Sequence, residues 1–254
     1  MAAFRGPPAP SLANADAGRR GSIWAALAAA PLLAALLAMA GGWWAPWASR
    51  YVQGVDVSWH QGAIDWRALA SDDVAFAYIK ATEGATHVDT RFELNWREAR
   101  AAGLHRGAYH FFTLCRSGAQ QAANFIRVVP RERGALPPAL DLEHMGPCRR
   151  GPQVIDALAE ARTFLDLAEA HYGVRPILYT TREFHDAYLS RLQGERFWIR
   201  SIAVRPRFRQ RDWVIWQHHN RGRRRGVDGP VDLNAFRGDA DALAAFTRIQ
   251  GSTT

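Results

Sequence analysis

From Tyr51 onward the chain repeats one unit: a short apolar or alternating run, a turn, then a stretch whose apolar residues recur at helical spacing. The short runs predict strands at 52–57, 74–80, 106–112, 138–143, 175–180, 196–200, 213–217 and 230–233. Helix ends are marked between them. Asp89-Thr90 opens a segment with Phe92 and Trp96 on one face, and Gly103 closes it. Ser117 and Gln120 have capping-box spacing ahead of Ala122, Phe125, Ile126 and Val129, and Pro130 stops that helix. Pro152 occupies a first-turn position before Val154, Ile155, Leu158, Ala161 and Leu165, with Gly173 at the end. Thr181 caps 182–192, and Asp239 starts a closing helix through Leu243 and Phe246. Strands that alternate with helices through right-handed crossovers build a parallel sheet, and about eight of them close it into a barrel. The connections after residue 196 are too short or too arginine-rich for good helices. The expected fold is therefore α/β, an irregular TIM-like β/α barrel with a mostly β last third, occupying 51–250.

Ahead of the barrel the pattern changes. Residues 1–22 carry Arg5, Arg19 and Arg20 against the single acid Asp16, and Ile23 to Trp47 then runs twenty-five residues without a charge. A helix of about 20 apolar residues spans a bilayer, and arginines preceding it hold its N-terminus in the cytoplasm. Residues 1–22 thus read as a cytoplasmic leader and 23–47 as one transmembrane or signal helix. Ala38-Met39-Ala40 before Gly41 fits signal-peptidase cleavage, whereas Trp43, Trp44 and Trp47 extend the segment as an interfacial aromatic belt would. An uncleaved single-span anchor in the cell envelope, with the barrel outside the cytoplasm, is the favoured expectation; a cleaved signal and a secreted or periplasmic protein is the alternative. Two cysteines, Cys115 and Cys148, each follow the end of a predicted strand, and an oxidising compartment would let them pair.

The length, 254 residues, accommodates one barrel and a short additional segment. The net charge of +8 is carried almost wholly by arginine, Lys80 being the single lysine. Its densest cluster, Arg221-Gly222-Arg223-Arg224-Arg225, has no interleaved aromatics and reads as a solvated loop, so no nucleic-acid partner is expected.

Barrel enzymes carry their chemistry at the C-terminal ends of the strands. The acids that end the apolar runs here are Asp56, Asp141, Glu143 and Asp232. Asp141 and Glu143 are two apart on a strand, so both side chains leave the same face. Two adjacent carboxyls do not both ionise cheaply: one is kept protonated as a usable acid while the other stays charged to steady a developing cation. Glycoside hydrolysis needs that division of labour. Trp59, Tyr78, Tyr109, Tyr179, Trp198 and Trp216 lie on or just beyond strand ends, where flat rings stack on sugars; the three tyrosines carry the most weight.

The stretches Gly54-Val55-Asp56-Val57-Ser58-Trp59-His60-Gln61-Gly62, Ile64-Asp65-Trp66, Phe76-Ala77-Tyr78-Ile79-Lys80-Ala81-Thr82-Glu83-Gly84, Gly107-Ala108-Tyr109-His110-Phe111-Phe112, Pro138-Ala139-Leu140-Asp141-Leu142-Glu143, Tyr179-Thr180, Trp216-Gln217 and Val231-Asp232-Leu233-Asn234 together resemble glycoside hydrolase family 25, the Chalaropsis-type lysozymes. The resemblance covers about 53–247. It implies a muramidase that cleaves the β-1,4 bond between N-acetylmuramic acid and N-acetylglucosamine in peptidoglycan, without metal or cofactor, and a monomer is expected. It implies Glu143 as general acid, Asp141 as the partner that steadies the 2-acetamido group during its attack on the anomeric carbon, and Asp56 and Asp232 as supporting acids. Tyr109, Tyr179 and Gln217 are implied substrate contacts, with Tyr78 and Trp198 beside them. One departure stands out. Where the family often reads Trp-x-Ala-x-Tyr, this chain has Trp198-Ile199-Arg200-Ser201-Ile202, which sets Arg200 at the rim as a contact for a peptide or muramyl carboxylate. Two rival readings are a wall-binding module without chemistry and a zinc amidase using His60, His110, His144, His218 and His219; no paired ligand spacing occurs among those histidines.

Overall fold

In the computed structural model, which describes Pro31 and residues 48–144, 156–202 and 204–248, the apolar runs form nine strands. They are β1 (Val52–Val57), β2 (Phe76–Glu83), β3 (His87–Val88), β4 (His105–Phe111), β5 (Ala139–Leu142), β6 (Ile177–Thr180), β7 (Phe197–Arg200), β8 (Trp213–Gly222) and β9 (Val231–Phe236). Their order is β1-β9-β8-β7-β6-β5-β4-β2-β3, and β1 also pairs with β2, so eight strands close a barrel and the short β3 hangs on the outside. The leader at 1–22 and, Pro31 apart, the apolar segment at 23–47 lie outside the described residues. Among the described residues no helix is long and apolar enough to cross a membrane.

Seven of the barrel strands run in parallel register, but β9 is antiparallel to both of its neighbours, β1 and β8. This corrects the expectation of a wholly parallel barrel. A strand running the other way brings its first residues, not its last, to the active rim: Asp232 pairs with Asp56 near the start of β9. β8 extends through Gly222, so Arg221 and Gly222 lie in a strand and only residues 223–225 of the arginine cluster are loop.

The helices are α1 (Trp66–Ala70), α2 (Phe92–Ala101), α3 (Gly118–Val128), α4 (Ala157–Tyr172), α5 (Arg182–Phe184) and α6 (Ala240–Arg248). Ser117 caps α3 by accepting from the Gln120 amide, and Thr181 caps α5 through the Phe184 amide. Such caps each contribute about 1 kcal/mol. α4 starts later than expected, at Ala157. Asp156 is its cap, accepting from the amides of Leu158 and Ala159, and Pro152 lies outside the described residues. Gly173 ends α4 in the left-handed region at φ 74°. The helix expected over 182–192 is instead the three residues of α5 followed by a π turn at His185–Leu189.

Alternation along the strands sorts the core into two layers. Val55, Val57, Ala77, Ile79, Leu140 and Leu178 pack outward against Phe125, Phe164 and Leu165 of the helices. Phe76, Tyr78, Ile177, Trp198, Ile215 and Phe236 fill the barrel, and Leu243 and Phe246 of α6 join that layer. Gly107 is required here because a Cβ would overlap the Tyr78 ring, and Gly54 makes the same allowance for Phe76. The rings that fill the lower barrel form the floor beneath the candidate site.

Candidate active site

Above that floor the strand ends open a cleft of about 460 Å³, lined by side chains from all eight barrel strands. Asp56 comes from β1, Lys80 and Glu83 from β2, Tyr109 and Phe111 from β4, Asp141 from β5 with Glu143 just beyond it, Tyr179 from β6, Trp198 and Arg200 from β7, Gln217 from β8 and Asp232 from β9. Nine of the ten residues expected to form the catalytic and substrate-contact set thus share one cavity.

Tyr78 is the exception and is corrected. It is fully buried, its hydroxyl donates to the Pro137 carbonyl at 3.0 Å, and its ring packs on Trp198 at 4.9 Å. It faces the barrel axis like the site residues but one layer too deep. Trp216 is also core: it points outward and donates to the Ser201 carbonyl at 2.7 Å. Trp59 is exposed, stacked on His60 with centroids 4.0 Å apart.

A directed network holds the base of the cleft. Trp198 Nε1 donates to Asn234 Oδ1 at 2.8 Å, and Asn234 Nδ2 donates to Asp56 Oδ2 at 2.7 Å. From the other side the Tyr179 hydroxyl donates to Gln217 Oε1 at 3.0 Å, and Gln217 Nε2 donates to the same Asp56 oxygen at 2.9 Å. Both amides are oriented by a donor behind them, and both deliver N–H groups to Asp56. Burial raises the Asp56 carboxyl above its ordinary value, while these two hydrogen bonds pull it back. Burial pushes Asp232, beside it, up to about 9, helped by the Asp56 charge and their mutual hydrogen bond. Asp232 is therefore the protonated member of that pair at neutrality and Asp56 the anion.

Asp141 and Glu143 form the second pair. Burial, then the neighbouring Glu143 and Asp56 charges, hold Asp141 well above the carboxylate range, and its Oδ1 is buried without a protein hydrogen bond among the described residues. Burial also raises Glu143, but Arg200 opposes it, with Nη1 lying 3.3 Å from Oε2. The sequence suggested that Glu143 carries the proton and Asp141 the charge. Both carboxyls are thus raised, and the Arg200 contact favours the charged form of Glu143 against the burial that favours its protonated form.

Sequence reasoning gave no site role to Lys80, Glu83, Asn234 or Asn220. Lys80 Nζ bonds Glu83 Oε2 at 2.7 Å, although residues three apart on a regular strand face opposite sides. A bulge between Lys80 and Thr82 shifts the register against β4 and turns both into the cleft. Asn234 was legible in principle, lying two residues after Asp232 on the same face.

The histidines do not converge. His110 is buried between barrel and helices, its Nδ1 2.7 Å from Thr82 Oγ1, its ring stacked on Phe164 at 5.0 Å, and burial pushes it down to about 3. His144 packs on Phe184 and Tyr188, whereas His60 lines the cleft. Among the described residues no group of His, Cys, Asp and Glu is arranged to hold a metal ion. Cys148 lies outside the described residues, and no free cysteine occurs among those described.

Comparison with known proteins gives the same picture over the barrel. An uncharacterized Escherichia coli K12 protein, YegX, is 36% identical over 206 residues, covering 78% of this chain and 74% of its own. Lysozyme M1 of Streptomyces globisporus is 36% identical over 212 residues, covering 77% and 71% respectively. The solved structure of a family 25 glycosyl hydrolase from Bacillus anthracis superposes with a TM-score of 0.72 at 38% identity, covering 77% of this chain and 94% of that one. The family model for glycosyl hydrolases family 25 matches residues 55–227, which run from β1 past the end of β8, and the chain belongs to that family.

Proposed function

We propose that this family 25 enzyme is a peptidoglycan muramidase, hydrolysing the β-1,4 bond between N-acetylmuramic acid and N-acetylglucosamine. The observation that carries the reading is the Asp141–Glu143 pair at the end of β5, buried in a cleft with Asp56 and Asp232. Glu143, in its protonated form, gives its proton to the leaving glycosidic oxygen. Asp141 offers its buried, unoccupied Oδ1 to the N–H of the 2-acetamido group, which aligns the amide oxygen for attack on the anomeric carbon. Positive charge developing on the sugar and the amide is then met by a carboxylate in a low-dielectric site. Asp56, fixed by Asn234 and Gln217, supplies a standing negative charge, and Asp232 holds a proton against it. Tyr109, Tyr179 and Trp198 form one wall of the sugar subsite and Gln217 part of its base.

The same reading extends to the chain outside the barrel. Residues 23–47 serve as a single-span anchor with 51–250 outside the cytoplasm, and Cys115 pairs with Cys148 across the rim. The test is release of muramic-acid reducing termini from purified peptidoglycan by the full-length protein, beside Glu143→Gln. The wild type is expected to release them and the variant to lose activity at least about a hundredfold, the scale of general-acid catalysis. Binding to sacculi without release by either protein would identify a wall-binding module instead.

A further inference from the structure

Arg200 ends β7 and leans over the cleft with about a third of its side chain exposed, 32%. Its guanidinium contacts Glu143 Oε2 at 3.3 Å and the Tyr179 hydroxyl, and a guanidinium has five N–H donors in a rigid fork. Donors therefore remain for another anion. The other cation of the cleft among the described residues, Lys80, is buried and held by Glu83 at 2.7 Å, which leaves Arg200, among those residues, as the cation placed to meet a ligand. Among the described residues the other groups that face Glu143 are the acids Asp141 on β5, Asp56 on β1 and Asp232 on β9 and the cation Lys80 on β2, with Tyr179 on β6 and Tyr109 on β4. Among these charges Arg200 alone makes a direct contact with the proposed acid.

A general acid works within hydrogen-bond reach of the glycosidic oxygen. Arg200, touching that acid, is then close to the anomeric carbon of the muramyl sugar. The ionisable group that muramic acid carries nearest to that carbon is the lactyl carboxyl on C3. It is a neutral amide wherever a stem peptide is attached and a free carboxylate where the peptide has been removed. We propose that Arg200 is a specificity-determining positioning residue that recognises the free lactyl carboxylate of peptide-stripped muramic acid with its remaining donors, and that sharing its guanidinium with that carboxylate weakens its hold on Glu143 and favours Glu143 as the acid. The proton that Glu143 then holds comes from solvent or a neighbouring carboxyl of the cleft, no other bond changes, and the acetamido N–H meets the buried Asp141 oxygen. The inference rests on the muramidase reading above. It sets the enzyme after a reaction that hydrolyses the lactyl–peptide amide.

The experiment compares two glycan preparations with the full-length protein. One is peptidoglycan stripped of stem peptides; the other is the same material with its lactyl carboxyls converted to methylamides. A charge-assisted hydrogen bond released to the substrate corresponds to roughly tenfold to a hundredfold in kcat/KM. The wild type is expected to favour the free carboxylate by that factor, with part of the gain in kcat because the acid is armed. Arg200→Gln should bring the two substrates within about twofold and move the alkaline limb of the kcat/KM profile on the methylamide to higher pH, because Glu143 loses the cation that opposed its protonation. Arg200→Lys, which retains the charge, should keep much of the preference and guard against a folding artefact. Equal cleavage of both glycans by the wild type, or an undiminished preference in Arg200→Gln, would overturn the inference while leaving the muramidase reading intact. Cleavage of neither glycan by the wild type would overturn both.

Discussion

Asn234 offers the sharpest test of the buried network. It is fully buried and does two things at once, accepting from Trp198 Nε1 at 2.8 Å and donating to Asp56 Oδ2 at 2.7 Å. Asn234→Leu is close in shape and removes both. Loss of the bond to an ionised carboxylate costs about 1.5–3 kcal/mol, and the Trp198 N–H left buried without a partner costs about 1–3 kcal/mol. The expected destabilisation is about 3–5 kcal/mol at neutral pH, read from urea unfolding followed by tryptophan fluorescence. Only the first part depends on pH. Burial already sets the folded-state pKa of Asp56 above its unfolded value, so the stability linked to that group is full below the unfolded value and falls as pH rises through the folded one. Withdrawing the Asn234 donor raises the folded value further. The additional loss therefore appears only where wild-type Asp56 is ionised and fades as the medium is acidified, leaving the Trp198 cost behind. A loss under about 1 kcal/mol, or one that is the same in acid and at neutrality, would refute the assignment of Asp56 as the anion of its pair.

Tyr78→Phe removes the hydroxyl that bonds the Pro137 carbonyl and should cost about 1 kcal/mol of stability. Because the ring lies below the cleft, KM should be unchanged; a raised KM would return Tyr78 to the sugar site. The proposed Cys115–Cys148 bridge predicts no uptake of iodoacetamide by the denatured, unreduced protein and two adducts after reduction, counted by mass spectrometry. Two adducts without reductant would exclude it.

Much of the barrel was legible because strands buried on both faces read as short apolar runs bounded by turns, along which every second residue shares a face. That pattern located the eight barrel strands and, through Asp141 and Glu143, a pair of acids on one face. It carries no sign of strand direction: the residues of β9 alternate identically whether the strand runs up or down, so its reversal was invisible and Asp232 was taken as a strand end rather than a beginning. Nor does it encode depth. Tyr78 and Lys80 share a face of β2, and only the three-dimensional barrel shows that one lies in the floor and the other in the cleft. A single inserted residue defeats it locally, as the bulge after Lys80 did for Glu83. The balance of charge between Asp141 and Glu143 was beyond reach for another reason. Arg200, whose contact favours the charged form of Glu143, is fifty-seven residues from it in the chain and meets it only across two strand ends.

The chain's single lysine lies in this cleft, whereas every other basic side chain of the Lys and Arg type is an arginine. Amine-acylating reagents leave guanidinium groups alone, so apart from the α-amino group they find one target, and it is at the site. Stoichiometry that would be lost in the background of a lysine-rich protein becomes a direct count here. Lys80 is buried and paired with Glu83, so it acylates only as that pair opens to the cleft; the rate of that single modification, and its slowing by a glycan, reports whether the cleft is filled. The enzyme therefore carries its own occupancy label, usable with glycans too heterogeneous for a conventional binding isotherm.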